Sequence, residues 1–143
     1  MIVTSQAVVF HERYLALATE EHLDEEMKHA NMNLVAVYCR AAEEQEADGL
    51  AEASVESYHQ MMKAAKACQD VAQQGLANHR IGLAYQKGDE ASKALGFHSE
   101  YLSLCKVDRD TVGEGEACCA LAQCYQDLGD VAQVRVRPTF RRF

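Results

Sequence analysis

Residues 81–104 read IGLAYQKGDEASKALGFHSEYLSL, and this stretch holds the two motifs that recur along the chain. The first motif, Phe-His-x-x-Tyr-Leu-x-Leu, occurs at residues 10–17 and 97–104, with a weaker copy that starts at Tyr58-His59. The second motif ends in tyrosine and occurs at residues 34–38, 81–85 and 121–125. The spacings, 48 and 39 residues for the first and 47 and 40 for the second, indicate an internal repeat of about 40 residues.

The residue types in each motif suit packed helices. Gly82 and Ala122 stand one turn before a tyrosine, where a small residue lets a neighbouring helix come close. In the other motif, the aromatic and the residue four positions later share one helix face. After the tyrosines come Gly88-Asp89 and Gly129-Asp130, where we expect glycine to end a helix in left-handed geometry and aspartate to cap the next.

The motifs and turns predict six helices and no strand before residue 131. Both motifs stretch by 7 or 8 residues in the same interval, which predicts one insertion, an acidic loop at residues 43–49. Pro138 and four arginines lie in residues 131–143, which favours an extended or disordered basic tail. The expected helices, alternately of type B and type A, span about 5–20, 24–43, 51–68, 71–87, 90–106 and 114–128.

Residues 75–101 resemble a tetratricopeptide repeat. Gly82 and Tyr85 match the glycine and tyrosine of that motif, Gly88-Asp89 its turn, and Ala94 its small residue in the second helix. The resemblance implies an all-α fold: over residues 1–130, a right-handed superhelical stack of antiparallel helix pairs, with two to three repeats plus partial ones. Because the chain starts in a B helix and stops after an A helix, we expect a truncated or alternatively terminated array.

Composition bears on several classes of function. The net charge of −8 argues against nucleic-acid binding, and no apolar run approaches the ~20 residues that a membrane span needs. The six cysteines include no C-x-x-C pair, which favours free, buried thiols over metal or redox use. Without a nucleophile, phosphate-binding or zinc-protease motif, the sequence predicts no enzyme, no metal and no cofactor.

In stacked repeats of this family the A helices line a concave surface that binds partners. At this surface we expect the partner to be a helical or extended protein segment with apolar anchors. A carboxylate clamp is improbable, because Arg80 and Lys87 are the basic residues near this face and Asn33 stands alone. The candidate binding residues are His79, Leu83, Gln86, Lys87, Cys119, Gln123, Gln126, Met32, Ala36 and Cys39.

Two further features have competing interpretations. His11, His59 and His98 are expected at one place in each B helix, either as a metal ladder or pH sensor or as packing residues, and packing is favoured because successive helices lie about 10 Å apart. The acidic run at residues 20–26 could hold calcium, but it lacks the glycine of a calcium loop. A solvated helix N-terminus explains it better.

The function expected from these features is a non-enzymatic interaction scaffold of the cytoplasm. Residues 91–130 resemble a member of the family from cilia and sperm flagella, which implies axonemal partners and a role in flagellum assembly and motility. The alternative is a cytoplasmic peptide-binding adaptor of the polarity-scaffold or motor-cargo type.

Overall fold

The computed structural model describes the backbone of residues 2–140 and the side chains of residues 3–129. Within residues 2–140 the chain forms helices and no strand, which confirms the predicted all-α fold. The helices are α1 (Ile2–Glu20), α2 (Asp24–Ala47), α3 (Ala51–Ala67), α4 (Val71–Lys87), α5 (Ala91–Asp108) and α6 (Thr111–Phe140).

Each helix packs on the next one in the chain, and α4 also touches α6. The odd-numbered helices are of type B and the even-numbered of type A, so the A helices are α2, α4 and α6. Buried side chains of α2, α3 and α4 form the main core, which includes Leu34, Tyr58, Met61 and Ile81. A smaller core joins α5 to α6 around Tyr101, Cys105 and Ala117. The result is an all-α helical repeat, in which each pair buries its apolar face against its neighbours.

Five turns connect the helices, and all five have the same geometry. In each, the residue after the turn donates its N–H to the carbonyl oxygen five positions earlier, as Leu23 does to Ala18 at 2.9 Å and Asp110 to Cys105 at 2.9 Å. This is the six-to-one bond of a Schellman motif, which requires one left-handed residue. The left-handed residues are His22, Gly49, Gln69, Asp89 and Arg109.

The expected roles of Gly88 and Asp89 are therefore wrong. Gly88 has a φ of −85°, and Asp89 takes the left-handed conformation with a φ of 59°. Asp89 does not cap α5, whose N-cap residue Glu90 makes no side-chain capping bond. Aspartate caps occur at other turns, where Asp70 accepts from the N–H of Gln73 at 3.1 Å and Asp110 accepts from the N–H of Gly113 at 3.0 Å.

The acidic insertion is helical, which corrects the predicted loop at residues 43–49. The left-handed residues from Gly49 onward are 20 apart, whereas His22 and Gly49 are 27 apart, so α2 carries seven extra residues. Seven residues make nearly two turns of an α-helix. The helix consequently returns to almost the same face after the insertion, with a drift of about 20°.

The turns also correct the register of the B helices. His98 lies 11 residues before left-handed Arg109, and His11 lies 11 before His22, but the residue 11 before Gln69 is Tyr58. Tyr58 and His98 are both fully buried, with 1% and 0% of their surfaces exposed. His59 is thus one position away from the expected place, and its ring contacts the edge of Phe97 instead.

The last helix is longer than expected. The backbone of α6 is helical to Phe140, whereas the sequence predicted an end near Leu128. The basic tail predicted for residues 131–143 falls where side chains lie outside the described residues, and residues 141–143 lie outside them entirely. The backbone of residues 131–140 is helical and not extended as predicted, while the prediction of a separate basic tail remains untested.

Arg109→Gly is expected to raise the free energy of unfolding by about 1 kcal/mol, because a left-handed residue with a Cβ is strained and glycine is not. The control is Lys106→Gly in the last turn of α5, where φ is helical and glycine should cost about 1 kcal/mol. Urea unfolding of the two variants measures both values. A loss of stability for Arg109→Gly would contradict the assigned turn geometry.

Candidate functional site: a groove between the A helices

A groove of about 740 Å³ runs between the A helices, and we call it the central groove. It is bounded by the C-terminal ends of α2 and α4, the start of α3, and the middle of α6. Several of the lining residues are glycine or alanine, and their small size leaves this space open. The lining residues are Glu46, Gly49, Ala51, Ser54, Arg80, Leu83, Ala84, Gln86, Lys87, Gly88, Gln123 and Asp127.

The central groove combines an apolar centre with balanced charges. Leu83 is 40% exposed, whereas the other large apolar side chains of α4 are buried or half-buried. Beside it, Arg80 pairs with Glu46 at 4.0 Å, with both side chains partly in solvent. Across the groove on α6, Gln123 donates to Asp127 at 2.9 Å. An apolar ligand side chain could contact Leu83 while its polar backbone reaches these flanking groups.

Gln86 is tied to a buried histidine behind the groove. His98 Nε2 donates to Gln86 Oε1 at 2.7 Å, and His98 Nδ1 is buried without a hydrogen-bond partner. Burial, together with nearby His79, lowers the pKa of His98 from 6.5 to about 4. His98 is therefore neutral at pH 7, and its bond positions the amide of Gln86 at the groove wall.

The structure separates the predicted binding residues into four places. Leu83, Gln86, Lys87 and Gln123 line the central groove. His79 does not, because its ring packs on those of His98 and Tyr101 at centroid distances of 5.3 and 4.6 Å. Cys119 and Gln126 lie on the exposed side of α6, outside the groove, while another pocket, of about 400 Å³, contains Met32, Ala36 and Cys39. A binding role for any of these residues stays a prediction.

The insertion in α2 explains why Cys39 and its neighbours are displaced from the central groove. The sequence register was set on Tyr38, which stands 16 residues after His22 as Tyr85 stands 16 after Gln69. Two more turns of α2 follow Tyr38, so Glu46 and Gly49 reach the central groove instead of Cys39. The sequence pattern did not indicate Glu46, Gly49, Ala51, Ser54 and Asp127. Counting back from the turn at Gly49 would have found Glu46, which lies three residues before Gly49 as Gln86 lies three before Asp89.

The chemistry near the smaller pocket disfavours a reactive thiol. Cys39 Sγ lies 3.7 Å from Glu43 Oε1. Burial is the main cause that raises the pKa of this thiol, and the Glu43 carboxylate raises it further. A protonated thiol is a weak nucleophile. Among residues 3–129 the structure has no group of three His, Cys, Asp or Glu side chains that could hold a metal ion. All six cysteines are free, and Cys118 and Cys119 are exposed, which corrects the expectation of uniformly buried thiols.

No helix in the described part of the chain has the length and apolar character that a membrane crossing requires. This finding concerns the described residues alone.

Comparison with known proteins supports the fold. The crystal structure of the TPR domain of Arabidopsis FLU superposes with a TM-score of 0.65 and 20% identity, over 72% of this chain and 87% of that one. The chain is also 29% identical over 70 residues to the Arabidopsis thaliana protein FLUORESCENT IN BLUE LIGHT, chloroplastic. That alignment covers 49% of this chain and 22% of the relative, so the chain spans about a fifth of the relative's length. No protein-family model matches the chain.

Proposed function

We propose that the chain is a non-enzymatic scaffold whose central groove binds a short segment of another protein. The observation that carries this proposal is the exposed Leu83 in a groove of about 740 Å³, flanked by the pair Arg80–Glu46 and by the amide of Gln86. The volume falls in the range of sites that enclose a few ligand side chains. Its fold, shared with a TPR domain, supports the same conclusion by analogy.

The lining favours a segment with one apolar anchor over a strongly acidic one. Of the two basic residues in the groove, Arg80 is already paired with Glu46, and Asp127 adds a further negative charge on α6. An acidic peptide would meet these carboxylates and gain little from Lys87 alone. An apolar side chain on Leu83 would instead remove water from exposed hydrocarbon on both partners.

Leu83→Glu is expected to weaken binding of a groove ligand at least about tenfold, because it places an unpaired charge at the contact. A peptide library displayed on phage is panned against the full chain, and the affinity of selected peptides is measured by fluorescence polarisation. The matched control is Val107→Glu, which changes an exposed apolar residue of α5 outside the groove. Peptides that bind the Leu83→Glu variant as well as the wild type would contradict the proposal.

The cellular setting is a separate hypothesis. The resemblance implied a cytoplasmic protein with axonemal partners, whereas the matched curated protein is chloroplastic by its name. The groove chemistry suits a peptide-binding adaptor in either setting. Accumulation of a tagged chain along the axoneme of ciliated cells would support the ciliary role, and an even cytoplasmic distribution would reject it.

A further inference from the structure

The two end helices of the stack each leave one face uncovered. On α1, Phe10, Tyr14 and Leu17 are exposed by 73%, 37% and 43%, and their spacing places them on one side of the helix. On α6, Tyr125 is 64% exposed. We call Phe10, His11, Tyr14 and Leu17 the α1 face. The α6 face comprises Gly115, Cys119, Ala122, Tyr125 and Gln126, all exposed.

The α1 face repeats, residue for residue, the side of α5 that packs on α4. Counted from the left-handed turns, its members correspond to Phe97, His98, Tyr101 and Leu104, which are the same four residue types. In α5 these side chains are covered by α4: Phe97 stacks on Tyr85 at 5.5 Å between ring centroids, and Tyr101 and Leu104 lie against Gly75. The α1 face has the same groups, and among the described residues no helix covers it.

The α6 face likewise repeats the side of α4 that receives α5. Its residues lie 40 positions after Gly75, His79, Gly82, Tyr85 and Gln86. Three of the five pairs have the same residue type in both helices: one pair of glycines, one of tyrosines and one of glutamines. A Cβ on Gly75 would come within 3.2 Å of the Tyr101 ring, whereas a Cβ on Gly115 would meet nothing within 4 Å. The α6 face thus has the space for a tyrosine, and no described residue fills it.

We propose that the α1 face of one copy of this chain packs on the α6 face of a second copy and reproduces the internal α4–α5 interface between molecules. Phe10 then stacks on Tyr125, His11 bonds to Gln126, and Tyr14 lies against Gly115. The contact uses two different surfaces, so it is heterologous and joins copies head to tail. Both copies keep a free face, and the assembly grows beyond a dimer.

Ala122 makes this interface weaker than the internal one. At Gly82 a Cβ would stand 2.6 Å from the His98 ring, so the methyl of Ala122 requires the His11 ring of the second copy to sit farther away. The association is therefore expected to be reversible and to depend on concentration. The central groove contributes no residue of the α6 face, so self-association and peptide binding are independent properties.

Sedimentation equilibrium of the full chain over a wide concentration range tests the proposal. The mean mass of the wild type is expected to rise past that of a dimer. Phe10→Glu and Tyr125→Glu should each weaken self-association at least about tenfold, because each buries an unpaired charge in the contact. An equimolar mixture of the two variants retains one intact α1 face and one intact α6 face, so it should form a 1:1 dimer and nothing larger.

Val9→Glu is the matched control, because Val9 is exposed on α1, and a Cβ added at its counterpart Gly96 on α5 would meet nothing within 4 Å. Val9→Glu should assemble like the wild type. Leu17→Glu provides a second variant of the α1 face if Phe10→Glu does not fold by circular dichroism. A wild type that is monomeric at every concentration overturns the proposal. So does a symmetric dimer that only one of the two variants abolishes, or a mixture of variants that fails to pair.

Discussion

Gly82→Val is expected to lower the free energy of unfolding by about 3 kcal/mol, because a side chain at this position has no room. A Cβ on Gly82 would lie 2.6 to 2.9 Å from three atoms of the His98 ring. The ring cannot move aside freely, since it is fully buried, bonded to Gln86 and packed on His79. Valine therefore has to push α4 and α5 apart.

The control for this prediction is Gly96→Val, at a glycine within α5 where an added Cβ would meet nothing within 4 Å. There, valine should change stability by no more than about 0.5 kcal/mol, in the stabilising direction, because glycine is the poorer helix former. Urea unfolding of the two variants, analysed with a common slope, gives the comparison. Equal effects at the two glycines would show that close packing of His98 on Gly82 does not stabilise the fold.

The protein is expected to lose stability as the pH falls from about 6.5 to about 4, and His98 accounts for up to about 3 kcal/mol of that loss. The pKa of His98 is lower in the folded chain than the 6.5 of a free histidine, chiefly through burial. As the pH falls, His98 therefore takes up a proton in the unfolded chain at a higher pH than in the folded chain. Its stabilising contribution is complete above pH 6.5 and is lost as the pH falls from about 6.5 through about 4. His79, whose pKa burial also lowers, acts in the same direction.

His98→Gln removes this titration, so the variant should be less stable at pH 7 and should lose less further stability between pH 7 and 4. Side-chain carboxyl groups as a class titrate in the same pH range. The measured quantity is therefore the difference between variant and wild type at each pH, obtained by urea unfolding. Exposed His29→Gln serves as the control. An unchanged pH dependence in the His98→Gln variant would rule out a buried neutral His98.

Helix number, the two motifs and the close approach at Gly82 could all be predicted from the sequence, because apolar periodicity and small residues directly reflect helix packing. The turns could be predicted only in part. His22, Gln69 and Arg109 are left-handed without being glycine, and no residue type marks them. Their conformation follows from the packing of the flanking helices, which outweighs a local strain of about 1 kcal/mol.

The candidate site was predicted less well than the fold, for a reason of register. Tyr58-His59 looks like Phe97-His98 in sequence, yet Tyr58 takes the buried place of His98. The extra turns of α2 had a similar effect. An alignment on Tyr38 places Cys39 at the central groove, but in the structure Glu46 lines that groove and Cys39 lies in the smaller pocket. Repeats can be aligned on a sequence motif or on a structural turn. The two alignments pair different residues wherever an insertion lies between the motif and the turn.

The regular spacing of the later turns bears on how such a chain can lengthen. Residues 70–109 hold one complete A helix and one complete B helix, begin with the capping residue Asp70, and end on left-handed Arg109. The next residue, Asp110, caps α6 in the manner of Asp70. In a tandem duplication of this 40-residue block, Arg109 of one copy would be followed by the capping residue Asp70 of the next, just as Asp110 follows Arg109 in the chain. Each copy would also carry its own packing faces. Growth of the array by gene duplication thus requires no compensating change elsewhere in the chain.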